Sequence, residues 1–146
     1  MVSIRKEFEV KVPACAAWSA LRDFHAVHER LAPGFVTHCQ PDGEARIVTF
    51  ANGAKAREML VDADDARRRL VYAISNEKLV HYNAAIEVIA LGADRCRLSW
   101  TVDLLPHSVA GYIDGQMEAA AAVMRATLES AGAEQRREDC IPPVSV

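Results

Sequence analysis

The chain has 146 residues, a formal net charge of −3 at pH 7 and 51% hydrophobic residues. That length carries one domain with a substantial core rather than two, and the lack of any basic run argues against a nucleic-acid partner. No apolar stretch approaches the roughly 20 residues needed to span a bilayer, so stable membrane insertion is not expected.

Residues 2–12 alternate: Val2, Ile4, Phe8, Val10 and Val12 share one parity, and Ser3, Arg5, Glu7, Glu9 and Lys11 the other. This is the pattern of a strand with one face on a core and one in water, with Lys6 the exception on the apolar side. The N-terminal residues lack the long apolar segment of a signal peptide. Pro13 ends the strand and suits the first turn of a helix, which runs to about Arg22 with Ala17, Trp18 and Leu21 on one side. A second short helical piece opens at Asp23-Phe24, passes His25, His28 and Leu31, and closes at Pro33-Gly34. Strands follow at residues 35–40, 44–51, 54–62, 70–75, 80–91 and 95–105. They are separated by Pro41-Asp42-Gly43, Asn52-Gly53, the charged run 64–68, and Gly92-Ala93-Asp94. Tyr72 shares a face with Leu70 and Ile74; Tyr82 with Ala84, Ile86 and Val88; Trp100 with Leu98, Val102 and Leu104. His81, Asn83 and Glu87 are placed on the solvent side. Pro106 stops the last strand.

Residues 109–128 are free of proline and rich in helix formers. Ile113, Met117, Met124 and Leu128, with Ala120 and Ala121 between them, make one apolar stripe at spacings of three and four. Asp114 and Glu118 lie beside the stripe and look outward. The helix is expected to end near Gly132, which divides the chain into one domain, 1–132, and a flexible tail, 133–146. Consecutive strands joined by short turns are antiparallel, so the fold class is α+β: a curved antiparallel sheet of about seven strands wrapped around a long C-terminal helix. Cys15, Cys39, Cys96 and Cys140 are scattered and are expected as reduced thiols in a cytoplasmic protein.

At this point the chain resembles the START-like (Bet v 1-like, SRPBCC) superfamily, in its polyketide cyclase/dehydrase and lipid-transport branch. The resemblance covers about residues 2–130. It is carried by Pro13, Trp18 and Leu21-Arg22-Asp23-Phe24, by Leu31-Ala32-Pro33-Gly34, and by Gly43, Arg46, Asn52-Gly53, Glu58 and Asp64. Tyr72-Ala73-Ile74 and the strand 100–104 complete it. The resemblance implies a helix-grip fold with a deep, mostly apolar cavity between sheet and helix. It also implies a small hydrophobic ligand of lipid, polyketide or aromatic type; some members are cyclases or dehydratases, and others only carry or sense a ligand. The chain departs from the pattern at Arg30-Leu31-Ala32, where a Trp often precedes the Pro, and at His107-Ser108-Val109.

Arg46 and Glu58 flank the Asn52-Gly53 turn. A two-residue turn pairs Ile47 with Glu58 and leaves the two charges on opposite faces. One more loop residue pairs Val48 with Glu58 and brings them to one face. The resemblance favours the second. On one face they would anchor a ligand carbonyl or carboxylate or act in acid–base catalysis; otherwise they are a structural ion pair or unrelated surface charges. Tyr72, Tyr82 and Trp100, with Phe35, Ile113, Met117 and Met124, are the expected ligand-binding wall, or else plain core. His25 and His28 have a spacing that can hold a metal, with only His38 and Cys39 nearby, and read better as a solvated helical face. His107, at the start of the long helix, reads as exposed. With no metal set, phosphate loop or nucleophile elbow, no metal, cofactor or covalent catalysis is expected. The function expected is binding of a small hydrophobic molecule. The alternative is a cyclase or dehydratase using Arg46, Glu58 and a cavity tyrosine, and an exposed edge strand offers a route to a homodimer.

Overall fold

A computed structural model describes residues 1–139, with side chains described for residues 1–131. The order is β1 (Val2–Val10), α1 (Ala14–Arg22), a 3-10 turn at Phe24–Ala26, α2 (Val27–Arg30), then six strands. These are β2 (Val36–Asp42), β3 (Ala45–Phe50), β4 (Lys55–Asp64), β5 (Arg69–Ile74), β6 (His81–Gly92) and β7 (Arg95–Leu105). A 3-10 turn at His107–Val109 leads into α3 (Ala110–Asp139). All seven strands form one antiparallel sheet in the order β1-β7-β6-β5-β4-β3-β2. The expected α+β helix-grip architecture is the one observed.

The period-2 pattern decides which face of the sheet is inner. Val10, Val48, Leu70, Ile86, Leu98, Val102 and Leu104 are buried there against the stripe of α3, from Met117 through Ala120 and Met124 to Leu128. The exception, Lys6, is answered across the gap. Its Nζ lies 2.9 Å from Asp114 Oδ1 and 2.8 Å from Glu118 Oε2, so the outward acids of α3 tie the helix to β1. The same contacts raise the Lys6 pKa, the Glu118 hydrogen bond most. At the other side of α1, Asp65 accepts from Trp18 Nε1 (2.9 Å) and Arg22 Nε (2.8 Å), which pins α1 to the β4–β5 turn.

Three expectations are refined or corrected. The Asn52-Gly53 hairpin has the one extra loop residue that the resemblance favoured, but it is Ala51, so the loop is 51–53 and Glu58 pairs with Arg46 rather than Val48. Phe50 carbonyl accepts from Gly53 N (2.9 Å), Ala54 carbonyl accepts from Phe50 N (2.8 Å), and Gly53 sits at φ +87°. This is a turn followed by a left-handed residue, the usual three-residue solution. Secondly, α3 does not stop near Gly132 but continues to Asp139. A glycine ends a helix by adopting a left-handed backbone, and Gly132 stays helical. Residues 133–139 are thus helical, and 140–146 lie outside the described residues. Thirdly, Cys15 is disulfide-bonded, whereas Cys39 and Cys96 are free. This replaces the reading of four reduced thiols; Cys140 lies outside the described residues. No helix among the described residues is long and apolar enough to cross a membrane.

Candidate functional site

Beyond β1, which Lys6 ties to α3, the sheet curves away from the N-terminal half of the helix. Between them lies a cavity of about 820 Å³. Its floor comes from β3 to β7, its roof from α3, and its side from α2 and Phe35. Every residue named above as catalytic or ligand-binding stands on this wall: Arg46 and Glu58; Tyr72, Tyr82 and Trp100; Phe35; and Ile113, Met117 and Met124. The wall is aliphatic and aromatic apart from a few polar groups, the usual make-up of a small-molecule pocket.

Arg46 and Glu58 share a face and are direct cross-strand partners, Arg46↔Glu58. The partner of Glu58 is therefore neither of the two weighed from the turn: the extra loop residue is Ala51, which centres the hairpin on Asn52. Both side chains are buried. Arg46 Nε donates to Glu58 Oε1 at 2.7 Å, and Nη2 lies 2.7 Å from the same oxygen. Arg46 Nη1 donates to the Phe24 carbonyl at 2.8 Å. The guanidinium carbon stands 3.8 Å from the Phe24 ring centroid and 5.4 Å from that of Tyr72. A buried ion pair persists only where geometry and further hydrogen bonds offset desolvation, and here the carbonyl and two rings supply them.

Tyr72 and Tyr82 are pushed above the ordinary phenol pKa of 10.0. Burial is the main cause for both; Glu58 adds to it at Tyr72, and Tyr72 and then Glu58 add to it at Tyr82. Both hydroxyls are therefore protonated at neutral pH and serve as donors rather than bases. Trp100 is buried beside them, and its Nε1, near the Tyr72 hydroxyl, makes no hydrogen bond of good geometry.

Other candidates fall elsewhere. His25 Nε2 is 3.0 Å from the Ala45 carbonyl, and His28 Nε2 is 3.4 Å from Glu29 Oε1. Cys39 faces the core while His38 is exposed, and among the described residues no cluster of His, Cys, Asp or Glu is arranged to hold a metal. His107 is exposed and off the wall, while its neighbours Ser108 and Val109 line it. Three contributors were missed. Phe24 holds Arg46 through a main-chain carbonyl that no side-chain pattern reveals. Phe50 packs edge-on against Phe35 at 5.6 Å on the wall. Tyr112, on the first turn of α3, accepts at its hydroxyl from Asn52 Nδ2 (3.0 Å), which joins the β3–β4 loop to the helix.

A curved seven-stranded sheet gripping a long C-terminal helix defines the START-like, Bet v 1-like class. The model of the family described as polyketide cyclase / dehydrase and lipid transport matches residues 1–134, and the chain belongs to that family. No curated protein matches the chain. Among solved structures, XoxI from Bacillus cereus is 16% identical with a TM-score of 0.77, covering 92% of this chain and 97% of its own. A START superfamily protein from Mycobacterium smegmatis is 11% identical, with TM-score 0.68 and coverages of 90% and 97%. Norcoclaurine synthase from Thalictrum flavum, in complex with dopamine and hydroxybenzaldehyde, is 19% identical, with TM-score 0.68 and coverages of 91% and 87%. At these identities the likeness is one of fold.

Proposed function

We propose that this protein binds a small hydrophobic molecule of lipid, polyketide or aromatic type in the space between the sheet and α3. The observation that carries the reading is the 820 Å³ cavity itself, with an apolar wall and a few buried polar groups. Its size falls in the range of small-molecule sites, about 300–1,000 Å³. The Arg46–Glu58 pair and the tyrosine hydroxyls orient the ligand, and Met117 and Met124 adapt to its shape.

The test fills the space. Ala120 is buried on the roof. Ala120→Trp is expected to abolish binding of a lipophilic fluorophore, or to weaken it at least tenfold, while the circular dichroism spectrum stays that of the parent. Unchanged binding in a folded variant would sink the reading. Native mass spectrometry of the fresh protein, followed by organic extraction, would identify a co-purifying ligand.

A second reading, a cyclase or dehydratase, is favoured by one observation: a charged pair and a protonated phenol, Tyr72, meet on the cavity wall. In that case Glu58 and Arg46 polarise a ketone and move a proton. Glu58→Gln, assayed well below its melting temperature, separates the two. A binder keeps its affinity within a few-fold, whereas an enzyme loses turnover by about 10²–10⁴-fold. Self-association through the outer edge of β2 belongs to the same set of proposals, although Pro41 there removes one edge donor.

A further inference from the structure

The polar groups of the cavity are unbalanced in kind. Tyr72, Tyr82 and Trp100 are 7%, 7% and 5% exposed and share the wall. A phenol both donates and accepts, but an indole N–H only donates, and that of Trp100 is buried near the Tyr72 hydroxyl without a hydrogen bond of good geometry. Tyr72 and Tyr82 share a side-chain hydrogen bond, and the indole N–H beside them brings a third donor hydrogen to two phenol oxygens. The one buried cation on the wall among the described residues is already committed. Arg46 gives Nε and Nη2 to Glu58 Oε1 and Nη1 to the Phe24 carbonyl. A carboxylate arriving here would find no unpaired positive charge.

The two tyrosines also report the local field. Burial and the Glu58 carboxylate both oppose their ionisation, and the same environment penalises any other negative charge brought to that depth. The cations without such commitments lie at the solvent side, where Lys55 and Lys78 are exposed lining residues beside Glu77.

We infer that the ligand enters with an uncharged oxygen acceptor leading, a ketone, aldehyde or ester carbonyl on an apolar body, and that the paired Tyr72 and Tyr82 hydroxyls receive it with the one hydrogen their mutual bond leaves over. An acid group, where the ligand has one, stays at the solvent side. This rests on the ligand-binding reading above and adds the chemical class and the orientation.

Three probes with one apolar body test it: 2-acetylnaphthalene, 2-ethylnaphthalene and 2-naphthoate, each titrated into the full chain by calorimetry at pH 7. The ketone is expected to bind about 2- to 10-fold more tightly than the ethyl compound, the worth of a neutral hydrogen bond. In Tyr72→Phe/Tyr82→Phe that preference disappears while the ethyl compound binds as before. Naphthoate is expected to bind no better than the ethyl compound and to ignore the double substitution. Equal binding of ketone and ethyl compound overturns the inference and leaves the binding reading standing. So does a naphthoate that binds more tightly than the ketone and weakens in the double variant. If none of the three binds, and a lipophilic fluorophore also fails, the binding reading falls and takes the inference with it.

Discussion

Among the described residues Glu58 has a single close cationic partner, Arg46, and that dependence makes it the most sensitive residue of the wall. Replacing one member of a buried pair leaves the other charge uncompensated, at a cost of about 3–5 kcal/mol. Glu58→Gln is therefore expected to lose that much stability in chemical denaturation. The double change Arg46→Met/Glu58→Met should recover most of it, because no buried charge remains. Equal losses in both variants would mean that packing around Phe24, not charge, holds the site. The buried phenols give a pH dependence whose sign follows from their raised pKa. The folded state keeps its protons after the unfolded chain has lost them, so stability is intact below the ordinary phenol pKa of 10.0 and falls as pH rises above it. The loss is roughly 1.4 kcal/mol per pH unit per tyrosine. Cys96, which burial pushes up to about 11 from 9.0, adds loss of the same sign from pH 9 upward. Denaturation curves at pH 8, 10 and 11 should show the decline, and Tyr72→Phe/Tyr82→Phe should flatten its upper part.

At the level of elements, the strands and the long helix were legible because alternation and the three-and-four stripe repeat over many residues. That redundancy also put Tyr72, Tyr82, Trp100 and Met117 on the inner face. Single positions without such repetition were not legible. The β3–β4 loop turned on one residue, Ala51, joining the turn, and this moved the partner of Glu58 to Arg46. Gly132 matched the composition of a helix stop yet lies inside α3, because a stop depends on the backbone angle the glycine adopts. The role of Phe24 was hidden for another reason: a carbonyl has no residue-type signature. The hairpin gives an element-scale prediction. Gly53 stands at φ +87°, and a Cβ added there would meet nothing within 4 Å, so strain alone opposes a side chain. Gly53→Ala should cost about 1–2 kcal/mol in chemical denaturation. A neutral result would mean that the loop relaxes without disturbing the Arg46↔Glu58 register.

Across the whole molecule, the cavity follows from how few contacts hold α3 off the sheet. The helix is tied at β1 by Lys6, at α1 by packing, and at the β3–β4 loop by the Asn52–Tyr112 bond. Between those ties the sheet is free to curve away, and so a chain with an ordinary apolar content encloses an apolar space. The strand order has a further consequence. β1 pairs only with β7 in this sheet, so Val2 sits opposite Leu104 and Val10 opposite Cys96. On a ribosome, the first strand made must wait for the last before it has a neighbour, and the apolar side of β1 meanwhile stays uncovered. Closing loops of that length before any contact rewards them belongs to the slow end of folding, milliseconds to seconds. Stopped-flow refolding should therefore show Phe8→Ala, within β1, raising the unfolding rate far more than it lowers the folding rate. The chain's earliest residues would be the last to find their place.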